Sequence, residues 1–321
     1  MNILVAFLFL GLLVVSHSPI QAASPSGSAD AGVHPSRRVV LFVLEGLDRH
    51  AVQSSPMPVL SGLVKRGSVA WSAETTSASG RLPAMASLVT GLPVSKHGIT
   101  WEHFEFSRGY PRPPTVFDYL DLSGGRDSAI FFMDEAFYQL AKPAPYTDYQ
   151  LCGLLKPECN PQRLVAYINQ YIAKSLSGQG FGHATEGLPD VLLVHLPQGG
   201  RAGEAHGWAS RQYQRELGVV DQAIGAVLDV YRAHGLLSET TVFVTSLSSP
   251  GPSRETGVPW IASGFGVKPG YLIKRPVSIV DTGATIMRTL GLATHTEWES
   301  RPIDEIFLDG SSVRLAMRKE R

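Results

Sequence analysis

Four short apolar runs rich in β-branched residues recur along the chain, and they constrain its fold more than any other feature. They span residues 38–44, 128–133, 190–195 and 241–245. A continuous apolar run of this length is typical of a strand buried on both faces of a parallel sheet. Helical patterns lie between these runs, chiefly at residues 57–66, 163–175 and 210–234. The alternation predicts an α/β fold whose mostly parallel central sheet is covered by helices on both faces.

A further amphipathic pattern covers residues 277–290 and is followed by Gly291, a typical residue at the end of a helix. In an open parallel sheet, the loops and helix N-termini that follow the strands converge on one crevice, where ligands bind. Functional residues are therefore expected directly after Leu44, Val194 and Thr245, where three of the predicted strands end.

The composition is that of a globular protein. The chain has 321 residues, 44% of them hydrophobic and 17% charged, which suffices for one large domain, expected at residues 38–310. Lys plus Arg number 28 and Asp plus Glu number 28, so binding driven by bulk charge is excluded. Because basic runs interleaved with aromatic residues are also missing from the sequence, no nucleic-acid partner is expected.

The N-terminus has the shape of a secretory signal peptide, predicted for residues 1–23. An apolar run at residues 3–15 is shorter than the ~20 residues of a membrane span, and small residues follow it. Residues 24–37 are then expected to be a flexible leader, and residues 311–321 a C-terminal tail. These features predict a secreted or periplasmic protein with no stable membrane span after cleavage. Because the n-region lacks Lys and Arg, an uncleaved N-terminal membrane anchor remains the alternative.

Two cysteines, Cys152 and Cys159, lie close together in a loop-like segment that also contains Pro157 and Pro161. In an oxidising compartment, a local disulfide between them is the first expectation, ahead of two free thiols. A metal site built on this pair would need further Cys or His nearby, and the sequence offers none there.

The order of motifs after the first strand resembles a known family. The strand ends in the string VLFVLEGL at residues 40–47, and MPVL at 57–60 and LVKRG at 63–67 follow it. The most specific stretch is PAMASLVTGLP at 83–93 with KHGI at 96–99. Later strings continue the likeness, namely those at residues 189–194, 206–207, 220–225, 258–261, 264–270, 277–282 and 301–306. Together they resemble the type I phosphodiesterase and nucleotide pyrophosphatase branch of the alkaline phosphatase superfamily.

The resemblance implies an alkaline-phosphatase-like fold and, in active members, metal-dependent hydrolysis. Two divalent cations, usually zinc, activate a Thr or Ser nucleophile and clamp the phosphoryl oxygens. In this chain the position of the first metal-ligating Asp is occupied by Glu45, and the nucleophile position by Arg81. A guanidinium cannot be deprotonated in a protein, so Arg81 cannot attack phosphorus. Ala84 stands where the family has an Asn that holds the phosphoryl oxygens.

The other family metal ligands are also mostly replaced. Their positions match Gly200, Glu204, Ser246 and Leu247, of which only Glu204 has a donor of the kind that these cations prefer. The last ligand, a His, has no counterpart at residues 248–257. We therefore expect no bound metal or other cofactor, no assignable catalytic residue, and a catalytically inactive homologue that lacks the two-metal site and the nucleophile.

Four histidines and three carboxylates are placed to line a remodelled crevice, namely His97, His103, His195, His206, Glu45, Glu204 and Asp48. A lone histidine is more often a hydrogen-bonded structural group than a ligand, so these residues are expected to be structural. Glu45 differs, because a carboxylate at the mouth of a central strand must be paired or lie near solvent to stay charged, and Arg81 is its expected partner.

Two further functions stay open. An arginine-lined pocket can hold phosphate, sulfate or carboxylate, so the chain could be an exported module that binds a small phosphoryl or sulfuryl anion through Arg81. A phosphate-ester or sulfate-ester hydrolase with a rebuilt site is the other alternative. Residues 115–187 match the family weakly, and they are either an insertion on the substrate side or ordinary sheet and helix.

Overall fold

One mixed sheet organises the molecule. The computed structural model describes residues 36, 38–76, 80–143, 147–151, 159–179, 188–251 and 257–309, all within one compact unit. The described strands are β1 (Arg38–Leu44), β2 (Gly67–Ala73), β3 (Ser128–Phe132), β4 (Thr147–Leu151), β5 (Val191–Leu196), β6 (Thr240–Ser246), β7 (Val258–Gly264) and β8 (Tyr271–Leu272). Their order is β4-β3-β5-β1-β6-β7-β2-β8. β7 runs antiparallel to both of its neighbours, and every other pair is parallel.

The central strand β1 shows why the apolar runs are continuous. Val39, Leu41 and Val43 pack into the core on one face of the sheet, and the alternate residues of the strand pack into a second core on the other face. Because successive side chains of a strand point to opposite faces, a strand covered on both sides has no solvent-facing residue. The predicted coverage of the sheet on both faces is confirmed.

The helices divide between the two faces. They are α1 (Arg49–Ser54), α2 (Pro58–Lys65), α3 (Arg81–Thr90), α4 (Val94–His97), α5 (Val116–Leu122), α6 (Pro161–Leu176), α7 (Gln198–His206), α8 (Arg211–Ala233) and α9 (Asp281–Thr289). The apolar residues of α3, α5 and α9 belong to one core cluster. Those of α1, α2, α6, α7 and α8 belong to the other.

The helix predicted for residues 277–290 is four residues too long at its start, since α9 begins at Asp281. The preceding segment pairs with Glu74, whose N–H donates to the carbonyl of Val277 at 2.7 Å and whose carbonyl accepts from Ile279 N at 2.9 Å. These sheet-like bonds hold the segment extended and displace the helix start. At the other end Gly291 has φ +72°, the left-handed conformation expected of a residue that follows a helix.

Ser36, in the segment expected to be a leader, makes contacts with the domain. Ser36 is buried, its N–H donates to the carbonyl of Thr289, and its hydroxyl donates to the carbonyls of Arg38 and Glu239. The predicted signal peptide, the leader apart from Ser36, the C-terminal tail and Cys152 lie outside the described residues. The disulfide therefore stays a prediction, as do the domain boundaries. Within the described ranges, no helix combines the length and apolarity needed to cross a bilayer.

The weakly matched residues 115–187 contribute to the main sheet. β3 pairs with β5 in parallel, and β4 extends the sheet beyond β3. α5 packs on one face and α6 on the other. In its described part, this stretch is ordinary sheet and helix, which is one of the two forms that the sequence left open.

Candidate functional site: a crevice centred on an ion pair

The crevice lies where the sequence places it, at the carboxyl ends of the central strands. Glu45 directly follows β1, His195 is the second-to-last residue of β5, and Ser246 is the last residue of β6. Arg81 opens α3, which packs across this edge of the sheet. Loops and helix N-termini that converge at this edge are the general reason why such folds bind ligands here.

Glu45 and His195 form a buried pair. Oε1 of Glu45 lies 3.0 Å from Nε2 of His195, and the two side chains are 1% and 0% exposed. Nδ1 of the imidazole accepts from the backbone N–H of Met133 at 3.4 Å. Because Nδ1 is the acceptor, Nε2 carries the proton and donates it to Glu45. Both nitrogens of the imidazole are therefore engaged in hydrogen bonds, which agrees with the structural role expected for His195.

Arg81 faces the other oxygen of Glu45. Its Nη1 lies 3.7 Å from Oε2 of Glu45 and 4.0 Å from Oδ2 of Asp134. The pairing of Glu45 with Arg81 is the contact predicted from the sequence. Burial opposes the charged guanidinium, but nearby carboxylates outweigh it and raise the pKa of Arg81 above its ordinary value. These carboxylates belong to Glu45, Asp134, Glu204 and Glu102.

Asp134 and Arg201 complete the network, and the sequence reasoning missed both. Nη2 of Arg201 lies 3.5 Å from Oδ2 of Asp134 and donates to the carbonyl of Met133 at 2.6 Å. Asp134 thus lies between two guanidinium groups. The sequence pattern could have indicated Asp134, because this residue comes just after β3, a fourth parallel strand that ends at the same edge of the sheet.

Gly200 and Glu45 fit each other closely. A Cβ atom on Gly200 would lie 2.8 Å from Cβ and 3.0 Å from Oε2 of Glu45. On the adjacent Gly199 it would lie 2.8 Å from the Glu45 carbonyl oxygen. These approaches are closer than real Cβ atoms tolerate without rearrangement. The start of α7 therefore packs directly on Glu45. The Glu45 side chain, one methylene longer than an Asp, fills the space beside Gly200, which has no Cβ atom.

Ser246 and Leu247, which the resemblance matches to a ligand pair of the family, make structural contacts in this fold. The hydroxyl of Ser246 donates to the carbonyl of Ser248 at 2.7 Å, and the Leu247 side chain lies fully buried in the core. Ser248 in turn bridges to the end of β1, since its hydroxyl accepts from Gly46 N at 3.0 Å. The turn after β6 is thus tied to the turn after β1 by hydrogen bonds between protein groups.

The remaining candidates are dispersed. Ala84 is buried inside α3, and Glu204 and His206 lie exposed on α7. The charge of Glu204 acts on Arg81. His103 is exposed on a loop. Asp48 caps α1 by accepting from Ala51 N at 2.7 Å, which is a structural role.

His97 is a buried framework residue. Its Nδ1 accepts from Ile99 N at 3.1 Å, so Nε2 carries the proton and donates to the hydroxyl of Ser87 at 2.9 Å. Burial lowers the pKa of His97 to about 4, against a smaller opposing effect of the Pro83 carbonyl. A neutral imidazole that bridges α3 and the end of α4 is what a structural histidine provides.

The donors in the crevice do not fit a pair of divalent cations. Of the matched ligand positions, only Glu45 and Glu204 have carboxylates, and Oε2 of Glu45 faces a guanidinium. No cluster of three or more His, Cys, Asp or Glu with the geometry of a metal site occurs among the residues that the structure describes. Structural and catalytic zinc sites need three or four such donors around one point.

The comparisons with known proteins agree with this fold. The family described as "Type I phosphodiesterase / nucleotide pyrophosphatase" matches residues 39–246, more than half of the chain. The chain belongs to this family. A search of curated proteins gave no match.

Solved structures of the alkaline phosphatase superfamily resemble the fold. Murine ectonucleotide pyrophosphatase/phosphodiesterase 5, as an inactive variant in complex with AMP, is 11% identical, with a TM-score of 0.66 over 84% of this chain and 100% of that one. The human protein of the same name is 12% identical, with a TM-score of 0.65 over 84% and 99%. A 2-O GAG sulfatase, BT1596, is 13% identical, with a TM-score of 0.63 over 84% and 73%. At these identities the likeness concerns the fold.

Proposed function

We propose that the chain is an exported, catalytically inactive homologue of the type I phosphodiesterases, in which an ion-pair network replaces the metal site. The observation that carries this proposal is the position of Arg81. The resemblance matches Arg81 to the family's nucleophile and Glu45 to its first metal ligand, and Nη1 of Arg81 lies 3.7 Å from Oε2 of Glu45. A permanently charged guanidinium is no nucleophile, and it supplies the positive charge that Glu45 needs.

The test is a combined metal and activity assay on the purified protein. Metal content is measured by mass spectrometry after incubation with Zn²⁺ and desalting. Hydrolysis is followed with bis(p-nitrophenyl) phosphate, p-nitrophenyl phosphate and p-nitrophenyl sulfate. The proposal expects less than stoichiometric metal and no turnover above buffer. Stoichiometric metal together with turnover would overturn it and establish a hydrolase with a rebuilt site.

Arg81→Ala is the matched control for trace activity. A contaminating phosphatase gives the same residual rate in preparations of the wild type and of the variant. A rate that belongs to the crevice changes when Arg81 is removed, because that side chain contacts two of its carboxylates.

Export is the second part of the proposal, and it rests on the predicted signal peptide at residues 1–23. Expression of the full chain with a C-terminal tag, followed by fractionation and N-terminal sequencing, tests it. A soluble exported product that begins near residue 24 supports cleavage. A membrane-bound product that retains residue 1 supports the anchor instead.

Binding of a small phosphoryl or sulfuryl anion through Arg81 is the other candidate function. The AMP complex of the murine homologue makes AMP a suitable probe. The four carboxylates that act on Arg81 count against an additional anion, because like charges repel at short range. Calorimetry of the wild type with phosphate, sulfate and AMP separates the two functions, since the structural function predicts no heat of binding.

A further inference from the structure

A second, open cavity lies far from the crevice, where the chain leaves the edge strand β8. It has a volume of about 560 Å³ and is lined by Arg275, Pro276, Arg301, Pro302 and Asp304. In the sheet, β8 is four positions away from β1, the strand that Glu45 follows. Neighbouring strands are about 4.8 Å apart, so roughly 19 Å of sheet separate β8 from β1. The volume of the cavity falls within the range of pockets that bind small molecules.

A buried carboxylate fixes the walls of this cavity. Asp281 is 8% exposed, and its Oδ2 accepts from Nη1 of Arg275 at 3.0 Å. Its Oδ1 accepts from the backbone N–H of Arg301 at 3.0 Å. Nη2 of Arg275 also donates to the carbonyl of Arg301 at 2.8 Å. Protein groups therefore hold the Arg275 side chain and the Arg301 backbone in place, so a ligand does not have to order them when it binds.

The charges around the cavity leave one guanidinium without a counterion. The charge of Arg275 is balanced by Asp281, and that of Asp304 by Arg288, whose Nε lies 3.0 Å from Oδ1 of Asp304. The side chain of Arg301 is exposed, and its guanidinium has no hydrogen bond or ion pair with any of the residues that the structure describes. The cavity therefore presents one uncompensated positive charge to a ligand.

Pro276 and Pro302 give the cavity an apolar wall. A proline has an apolar ring and no backbone N–H, so these two residues contact the apolar part of a ligand. The methylene groups of the two arginine side chains extend this wall. Ligand pockets generally combine such a lining with a few polar groups that fix the orientation of the ligand.

We infer that this cavity binds a monocarboxylate whose carboxyl group is attached to an apolar body. The carboxylate pairs with Arg301, because a planar guanidinium donates two parallel hydrogen bonds to a carboxylate. One uncompensated charge matches a monoanion, and the two prolines match the apolar body. Such a carboxylate belongs either to a free organic acid or to the C-terminus of a peptide that ends in an apolar residue.

This binding site goes beyond the proposed function and does not depend on it. Neither Arg81 nor Glu45 lines the cavity, and the ion-pair network of the crevice lies four strands away. The carboxylate would therefore bind whether or not the crevice has any activity. Turnover in the metal assay would refute the proposed function and leave binding at this cavity unchanged.

The test is calorimetric titration of the purified protein with phenylacetate and with a short peptide that ends in phenylalanine. Phenethyl alcohol, which lacks the carboxylate, and acetate, which lacks the ring, are the control ligands. We expect both ring-bearing carboxylates to bind at least about tenfold more tightly than either control, since each control lacks one of the two contacts. Tighter binding of the peptide would identify a peptide C-terminus as the source of the carboxylate. Equal or tighter binding of phenylacetate would identify a free acid.

Substitutions of Arg301 assign the binding to this cavity. Arg301→Gln should weaken the binding of phenylacetate at least about tenfold, because the charge and the bidentate pair are lost. Arg301→Lys keeps the charge without the planar group, so its affinity should lie between those of the wild type and Arg301→Gln. Arg112→Gln is the matched control, because Arg112 is also exposed and next to prolines but does not line the cavity. Its affinity should equal that of the wild type.

A measurement on the wild type removes any dependence on how the variants fold. The Nε–H signal of Arg301 in a ¹⁵N–¹H spectrum should shift in step with the heat of phenylacetate binding. The inference is overturned if neither phenylacetate nor the peptide gives saturable binding to the wild type. It is also overturned if Arg301→Gln keeps the wild-type affinity, or if Arg112→Gln loses as much affinity as Arg301→Gln.

Discussion

Replacing Arg81 with Met tests the ion pair at the centre of the crevice. Methionine keeps much of the apolar length of the side chain and removes the charge that faces Glu45. At an effective dielectric constant of about 20, unit charges 3.7 Å apart interact by about 4 kcal/mol. The guanidinium is 27% exposed, so solvent screening reduces this value. We expect Arg81→Met to lower the free energy of unfolding by about 2–3 kcal/mol, because Glu45 is left buried without a cation.

A double-mutant cycle isolates the pairwise energy. Glu45→Gln keeps an acceptor for the N–H of His195 and removes the negative charge. In this background Arg81→Met should cost about 1 kcal/mol or less, which corresponds to a coupling energy of about 1–3 kcal/mol. Urea unfolding followed by far-UV circular dichroism gives all four values.

Two results would refute the reasoning. One is a cost of Arg81→Met below about 0.5 kcal/mol, the range of ordinary surface substitutions. The other is an equal cost with Glu45 and with Gln at that position. Either result would mean that the guanidinium does not stabilise the buried carboxylate.

Three further predictions use other contacts. Gly200→Ala should lower the free energy of unfolding by about 1–3 kcal/mol, because its Cβ atom would crowd Glu45. Gly218→Ala is the control and should be neutral or stabilising, because its Cβ atom would lie 3.4 Å from the nearest side-chain atom. Thermal unfolding compares the two variants. His97 has its pKa lowered to about 4 in the fold, so the unfolded chain takes up a proton first as the pH falls. The contribution of the neutral His97 to the free energy of unfolding is complete above about pH 6.5 and declines by about 3 kcal/mol as the pH falls towards 4. His97→Gln should remove this decline when urea unfolding is measured across this pH range. Tyr213→Phe should cost about 1 kcal/mol in the same assay, since its hydroxyl donates to the Gly46 carbonyl.

The four adjacent parallel strands β3, β5, β1 and β6 could be predicted because they are buried on both faces. β1, β3, β5 and β6 are continuous apolar runs, and such runs need no tertiary information to be recognised. β2 could not be found in this way, because its sequence, GSVAWSA, mixes small and polar residues. Its pairing with β7 is set by the tertiary fold.

The crevice could be predicted where it depended on strand ends and not where it depended on loops. Glu45, at the end of β1, and its partner Arg81 could be inferred from charge alone. Glu102 could not, because nothing in the spacing of a loop residue tells which helix end it reaches. The contact with Arg81 N depends on how residues 101–110 fold against Gln139.

The close fit between Gly200 and Glu45 limits which further carboxylates the crevice could accommodate. An Asp introduced at position 200 alone would have to displace Glu45, because even its Cβ would lie within 2.8 Å of that side chain. Shortening Glu45 to Asp alone would open a gap beside Gly200 and draw the carboxylate away from His195 and Arg81. Each of these single substitutions is unfavourable by itself, so carboxylates placed at position 200 and shortened at position 45 would require both changes together.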